Sequence, residues 1–207
     1  MKKHIILLFV LCLVLAGCDT QTLKRCPDEN HPHMIDLGLP SGTKWACCNV
    51  GASMPEEFGG YYAWGETEEN DEYSFRNNNT GKYVYIGDDI SGTLYDVAHV
   101  QWGGSWRMPT QSQIEELMKY CTIKRATKNK LPGRLVIGSN KGSIFLPAAG
   151  EKQGRIFSFA NYGKFWSSTF AHDSIGDEAY NFAFYYSVYN CSKSSRLIRR
   201  SVRPVCP

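Results

Sequence analysis

Three sets of side chains in this 207-residue chain have types and spacings that support chemistry. The first is Cys18. It follows Leu15, Ala16 and Gly17 at the end of an apolar run over residues 5–16, behind Lys2 and Lys3. Small residues directly before a cysteine form the pattern of a bacterial lipobox, in which the Cys18 thiol is the nucleophile that takes a diacylglycerol. The apolar run is shorter than the roughly 20 residues a spanning helix needs, so residues 1–17 read as a lipoprotein signal peptide. Acyl chains contributing about 0.8 kcal/mol per buried CH₂ would anchor the mature chain to a membrane.

The second set is the remaining thiols and the histidines. With Cys12 lost and Cys18 lipidated, Cys26, Cys47, Cys48, Cys121, Cys191 and Cys206 remain, and an exported chain can pair them in disulfides. None lies in a CxxC or Cys/His spacing of a zinc site, and no metal or other cofactor is expected. Cys47 and Cys48 are adjacent, so on a strand they point to opposite faces. His99 with Asp96, and His172 with Asp173, are the side chains available for acid–base work, although satisfied hydrogen-bonding roles explain both. No Gly-x-Ser-x-Gly elbow, Walker loop or HExxH is present. The expectation is a non-enzyme.

The third set is the tract over residues 185–196, rich in Tyr, Ser and Asn. Antibody paratopes share this composition, because tyrosine offers broad contact at low entropy cost and Ser and Asn adapt their hydrogen bonds. A polar strand and turn whose tyrosines cover a sheet explains the same residues equally well.

The elements that must position these groups start at Trp102-Gly103-Gly104-Ser105-Trp106-Arg107-Met108-Pro109-Thr110. Two glycines allow a tight path between two large aromatics. Pro109 pushes Met108 out of the helical region. Thr110 then fits as an N-cap, with Gln113 completing a capping box. Ile114, Leu117, Met118 and Cys121 recur at helical spacing, which predicts one amphipathic helix over about 110–121. Elsewhere the pattern is of short strands. Residues 34–39 and 43–48 read as strand, turn, strand, and residues 133–138 and 143–148 as a hairpin. Residues 165–169, 179–184 and 201–205 read as further strands. Residues 67–82, acidic and Asn-rich, read as a long irregular loop. Residues 18–32 read as a polar tether, leaving residues 33–207 as a single domain with a sizeable core. The formal charge is +3, and loss of Lys2 and Lys3 leaves +1, so charge balance gives no argument for a nucleic-acid partner. The acidic residues 56–72 and basic residues 119–134 are segregated, as solvated faces commonly are.

These pieces together resemble a known family. Residues 36–46, 49–52, 62–67, 96–100, 102–110, 143–150, 166–169 and 201–205 all match its motifs, among them Trp166-Ser167-Ser168-Thr169 and Ser201-Val202-Arg203-Pro204-Val205. The chain looks like a member of the Fibrobacter succinogenes major paralogous domain family, abundant as lipoproteins in gut Bacteroidetes. The resemblance covers nearly the whole mature chain. It implies an α+β domain of C-type-lectin-like fold, related to formylglycine-generating enzymes, with the last strand returning beside the first. It implies an outer-membrane lipoprotein of the cell envelope, facing either the surface or the periplasm.

In such folds a ligand sits on irregular loops before the final strand, here residues 170–178 and 185–198. The site residues this implies are Phe170, His172, Asp173, Tyr185, Tyr186, Tyr189, Asn190, Ser192, Ser194 and Arg196, for a protein or glycan ligand. Similar domains are targets of diversity-generating retroelements, which vary this C-terminal region. A structural or assembly subunit of a cell-surface complex is the alternative role. An oxidase like the related enzymes is a second alternative, but Cys191 and Cys206 do not match its reactive pair. The calcium-site tripeptides of sugar-binding C-type lectins are missing. A returning last strand would bring Cys206 to Cys26, and Cys48–Cys121 would join the first hairpin to the helix end.

Overall fold

The computed structural model describes residues 32–70, 72–75, 82–153, 156–158 and 161–207. The signal peptide, Cys18, Cys26 and nearly all of the tether lie outside the described residues. Among those described, no helix is long and apolar enough to cross a membrane. The architecture is α+β: small antiparallel sheets with two short helices.

The first hairpin pairs β1 (Met34–Asp36) with β2 (Lys44–Ala46), and β11 (Val205–Cys206) lies on the other side of β2. The chain's last strand therefore closes against its first hairpin, with β2 between β1 and β11. Helix α1 (Val97–Trp102) starts at Asp96, whose carboxylate is buried and accepts from four backbone N–H groups: Gly92, Ala98, His99 and Met108. The glycine bend follows, with Gly103 and Gly104 at φ 69° and 56° and the Trp102 and Trp106 rings edge to face at 5.3 Å.

Helix α2 (Gln111–Tyr120) carries the expected capping box. Gln113 N–H donates to Thr110 Oγ1 at 3.2 Å, and Thr110 N–H to Gln113 Oε1 at 2.9 Å. Ile114 and Leu117 are its buried residues.

β3 (Thr122–Lys128), β4 (Leu131–Ile137) and β5 (Ser143–Pro147) form a second sheet. The hairpin expected at 133–148 is β4–β5. β3 has no counterpart in the sequence reading, because Thr-Ile-Lys-Arg-Ala-Thr-Lys shows no apolar alternation. β6 (Glu151–Gln153) and β7 (Ile156–Ser158) form a small ribbon.

The third sheet, ordered β10-β9-β8, positions the candidate site. It comprises β8 (Tyr162–Ala171), β9 (Glu178–Tyr185) and β10 (Val188–Ser195). One face carries Phe165, Phe182 and Phe184 into a core shared with Trp45, Ile114, Leu117, Val136 and Leu146. The other carries Trp166, Phe170 and Ala179 into a second core with Val50, Trp64, Met108 and Val202. Burial on both faces at about 25 cal/mol per Å2 holds the sheet between two layers. A bulge between Trp166 and Phe170 re-aims the Trp-Ser-Ser-Thr motif. Its Ser167 carbonyl accepts from Trp64 Nε1 at 2.9 Å, and Thr169 Oγ1 accepts from the first N–H of α2 at 2.9 Å.

Two expectations are corrected here. Residues 201–205 are not one strand. They run extended beside other segments through isolated bridges, Phe165 with Ser201 and Arg107 with Val205, and only Val205 and Cys206 enter a ladder. Residues 188–195 are not an irregular loop but a full strand in register with β9.

Candidate functional site

Strand pairing places cross-strand partners on the same face. Across the third sheet one row is Tyr162, Tyr185 and Val188, and the next is Lys164, Ala183 and Asn190. Two residues further along, the same face enters the second core with Trp166 and Asn181, both fully buried. The face thus passes from solvent to interior along its length. At the solvent end it opens into a concavity of about 310 Å3, bounded also by Phe184 and Tyr189. The small side chain of Ala183 leaves the floor low between Lys164 and Asn190. Gly163, opposite Phe184, has no room for a side chain, since a Cβ there would lie 2.4 Å from the Phe184 ring. That close approach seats the Phe184 ring on the opposite face of the sheet, in the first core.

The rim is aromatic. Tyr162 and Tyr185 meet edge to face at 6.2 Å, and Tyr185 and Tyr186 at 4.2 Å. Tyr185, Tyr186 and Val188 are 49%, 51% and 65% exposed, unusual for side chains of this size on a well-packed sheet. Tyr186 is the first residue of the two-residue turn joining β9 to β10 and has φ 45°, a region glycine or asparagine ordinarily takes.

Behind the rim is a fixed charge network. Lys164 Nζ lies 3.1 Å from Glu151 Oε2, and the buried Arg200 donates to the same oxygen at 2.7 Å. Arg200 also sits 4.2 Å over the Trp166 ring. Burial alone would raise the Glu151 carboxyl, but Arg200 and Lys164 outweigh it and hold it below the ordinary glutamate value. Chemically, the shelf offers aromatic faces for stacking and the Lys164 and Asn190 side chains for hydrogen bonds. It suits a small polar ring or an extended polar chain.

The residues expected at the site divide sharply. Tyr185, Tyr189 and Asn190 line the shelf, and Tyr186 caps the tip beside them. Ser192 lies further along, hydrogen-bonded with Asn181, and Ser194 is half-buried opposite Ala179. His172 is at the other end of the sheet, exposed and 2.9 Å from Asp88. Asp173 closes a turn by accepting from the Ile175, Gly176 and Glu178 N–H groups. Those bonds outweigh the opposing effect of desolvation and keep its carboxyl below the usual range.

Phe170 and Arg196 are corrections, since neither is presented to solvent. Phe170 packs in the second core, 6.0 Å from Trp64. Arg196 is fully buried, 4.7 Å over Trp64 and 5.6 Å from Tyr73, and donates to the Val84 and Gly176 carbonyls. It binds loop to sheet. The sequence reading missed Tyr162, Lys164, Ala183, Phe184 and Val188. The alternation Tyr162-Gly163-Lys164-Phe165 carried the signal, but only the β8–β9 register reveals its partner row.

One disulfide expectation is corrected: Cys121 is a free thiol, so Cys48–Cys121 is not formed in the structure. The Cys26–Cys206 expectation falls on Cys26, which lies outside the described residues. Cys121 is sealed in the first core beneath α2, and Cys206 packs with Ala46 and Trp106. Burial, helped by the Glu116 charge, pushes the Cys121 thiol up to about 11. Burial, with Glu115, takes Cys191 to about 12. Both are protonated and unreactive at neutral pH. Nor do Asp96 and His99 form a dyad, because the carboxylate is held by backbone N–H groups. Among the described residues no cluster of His, Cys, Asp or Glu could hold a metal ion.

Fold and site define an α+β protein with a tyrosine-rimmed shelf at one end of a doubly packed sheet. Comparison of the chain with protein-family models, with curated proteins and with solved structures finds no match in any of the three.

Proposed function

We propose that this chain is a membrane-anchored lipoprotein whose C-type-lectin-like module binds a protein or glycan ligand without catalysis, through the shelf at the β9–β10 tip. The observation that carries the reading is the contrast within one sheet: Tyr185, Tyr186 and Val188 stand exposed beside a concavity, while the body of the sheet is buried on both faces. Large apolar groups gathered at an open concavity favour contact with a partner. The paratope-like composition of β10 and the Lys164–Glu151–Arg200 network, which fixes a polar group behind the rim, support the same reading. The lipobox at Cys18 supports the anchor.

The test is a glycan and protein array probed with the purified protein and with Tyr185→Ala/Tyr189→Ala. Binding should fall at least about tenfold in the double variant, as expected when aromatic contacts at the centre of an interface are removed. Thermal stability should change by less than about 1 kcal/mol, because both rings are exposed and only Tyr189 touches a core residue, Phe182, at 6.4 Å. Equal loss of stability and binding would assign the tyrosines to packing and defeat the proposal.

A further inference from the structure

The other side of the same hairpin tip is built on a different principle. The inner face of the β3–β4–β5 sheet carries the row Ile123, Val136 and Ile144, which packs into the first core. The next row on that face is Arg125, Arg134 and Leu146. An apolar face thus ends in two arginines directly opposite each other on antiparallel strands, an arrangement that costs stability when nothing neutralises it.

Arg134 is only 4% exposed. Its guanidinium lies 5.2 Å from the Phe184 ring and donates from one terminal nitrogen to the Tyr186 carbonyl. Its buried Nε has no partner. The Arg125 guanidinium stands 5.9 Å over the Tyr186 ring. Among the described residues no carboxylate is within ion-pair distance of either arginine. Burial first, and the Arg125 charge second, lower the Arg134 pKa. The two arginines, with Thr127, Asn161 and Tyr186, line a concavity of about 480 Å3.

We propose that Arg125 and Arg134 form an oxyanion-binding site that takes a carboxylate, sulfate or phosphate group, either as a free small anion or as the acidic group of a sugar. A guanidinium fork matches such groups with paired N–H···O bonds. A bound anion would give Arg134 Nε an acceptor and cancel the cross-strand repulsion. The aromatic faces of Phe184 and Tyr186 flank the space a sugar ring would fill. The site is distinct from the tyrosine-rimmed shelf and stands without it.

The test is calorimetric titration and thermal unfolding of the purified protein with millimolar sodium sulfate, glucuronate or glucose, at ionic strength matched with sodium chloride. Sulfate or glucuronate should bind saturably and raise the Tm, as any ligand selective for the folded state does, while glucose should do neither. Glucuronate binding more tightly than sulfate assigns an acidic sugar; sulfate binding as tightly or more so assigns a free anion. Arg125→Gln, at an exposed position that tolerates substitution, should weaken the anion by at least about tenfold, since one charge-assisted contact is lost. Arg134→Lys keeps the charge but not the fork and should weaken it as well. In anion-free buffer Arg125→Gln should raise the Tm. No saturable binding of either anion, unchanged affinity in Arg125→Gln, or a lower anion-free Tm in that variant would each overturn the proposal.

Discussion

Arg200 and Arg203 in the C-terminal segment and the arginines beside the hairpin tip are the same side chain in different circumstances. Arg203 is fully buried, and its guanidinium donates to Asn49 Oδ1 at 2.7 Å, the Phe145 carbonyl at 2.9 Å and the Ala46 carbonyl at 3.0 Å. Arg200 has Glu151 and the face of Trp166. Both tie the C-terminal segment to distant parts of the chain. Arg134 is almost as buried and, like Arg200, keeps one unpartnered nitrogen, but it faces another arginine where Arg200 faces a carboxylate. Burying a charge is tolerable when it is paired and hydrogen-bonded and costly otherwise. Arg203 and Arg200 thus find their main partners within the fold, whereas the opposed pair has no counter-charge among the described residues, the role that the proposed anion would fill.

The widest gap between the two regions should appear at Arg203. Arg203→Ala leaves Asn49 and the Ala46, Pro55 and Phe145 carbonyls without this donor and opens a cavity as well. Either fault is a route to severe destabilisation, so a loss of about 4 kcal/mol or more is expected, read as a collapse in denaturant midpoint. A variant that unfolds near the wild-type midpoint would remove the distinction between the two sets of arginines.

Next in size is Glu151→Gln, which strips the fully buried Arg200 of its counterion and should cost about 3 kcal/mol. The same pair predicts a pH dependence. The folded-state pKa of Glu151 lies below its unfolded value, so its stabilisation is fully present above the ordinary glutamate range. It is lost as the pH falls through the lower folded value. Wild-type Tm should therefore decline below about pH 4, and the decline should be shallower in Glu151→Gln. Parallel declines would mean that Glu151 is not the group responsible.

What could be read from the chain alone follows the same division. The capping box at Thr110 and Gln113, the glycine bend and the first hairpin are local, set by residues within a few positions of one another, and the sequence expresses them directly. The family resemblance implies an exposed loop at Arg196, and its Ser- and Asn-rich surroundings give no local sign of burial. Its actual neighbours, Trp64 and Tyr73, are more than a hundred positions away, and only the folded chain brings them together. Lys164 and Tyr162 were missed for a related reason. They line the shelf only because β8 pairs with β9 in one register, and a shift of one residue would have turned them inward. The opposed pair Arg125 and Arg134 was hidden twice: β3 has no apolar alternation, and register alone makes the two residues opposite.

The finest discrimination is at Tyr186, where structure and recognition should part company. A bulky residue at φ 45° is strained, and such strain costs of order 1 kcal/mol or more when the surroundings hold it in place. If the ring served the fold, its loss would lower stability, yet it is half exposed, and its neighbours are the Tyr185 ring and the Arg125 guanidinium. Tyr186→Gly relaxes the turn, because glycine enters this region without steric penalty, but it also frees the unfolded chain. These effects oppose each other, so the expected stability change is within about 0.5 kcal/mol of zero, while ligand capture on either side of the tip weakens. A clear drop in Tm with binding intact would reverse the assignment, making the tyrosine a structural plug and leaving the arginines to act without it.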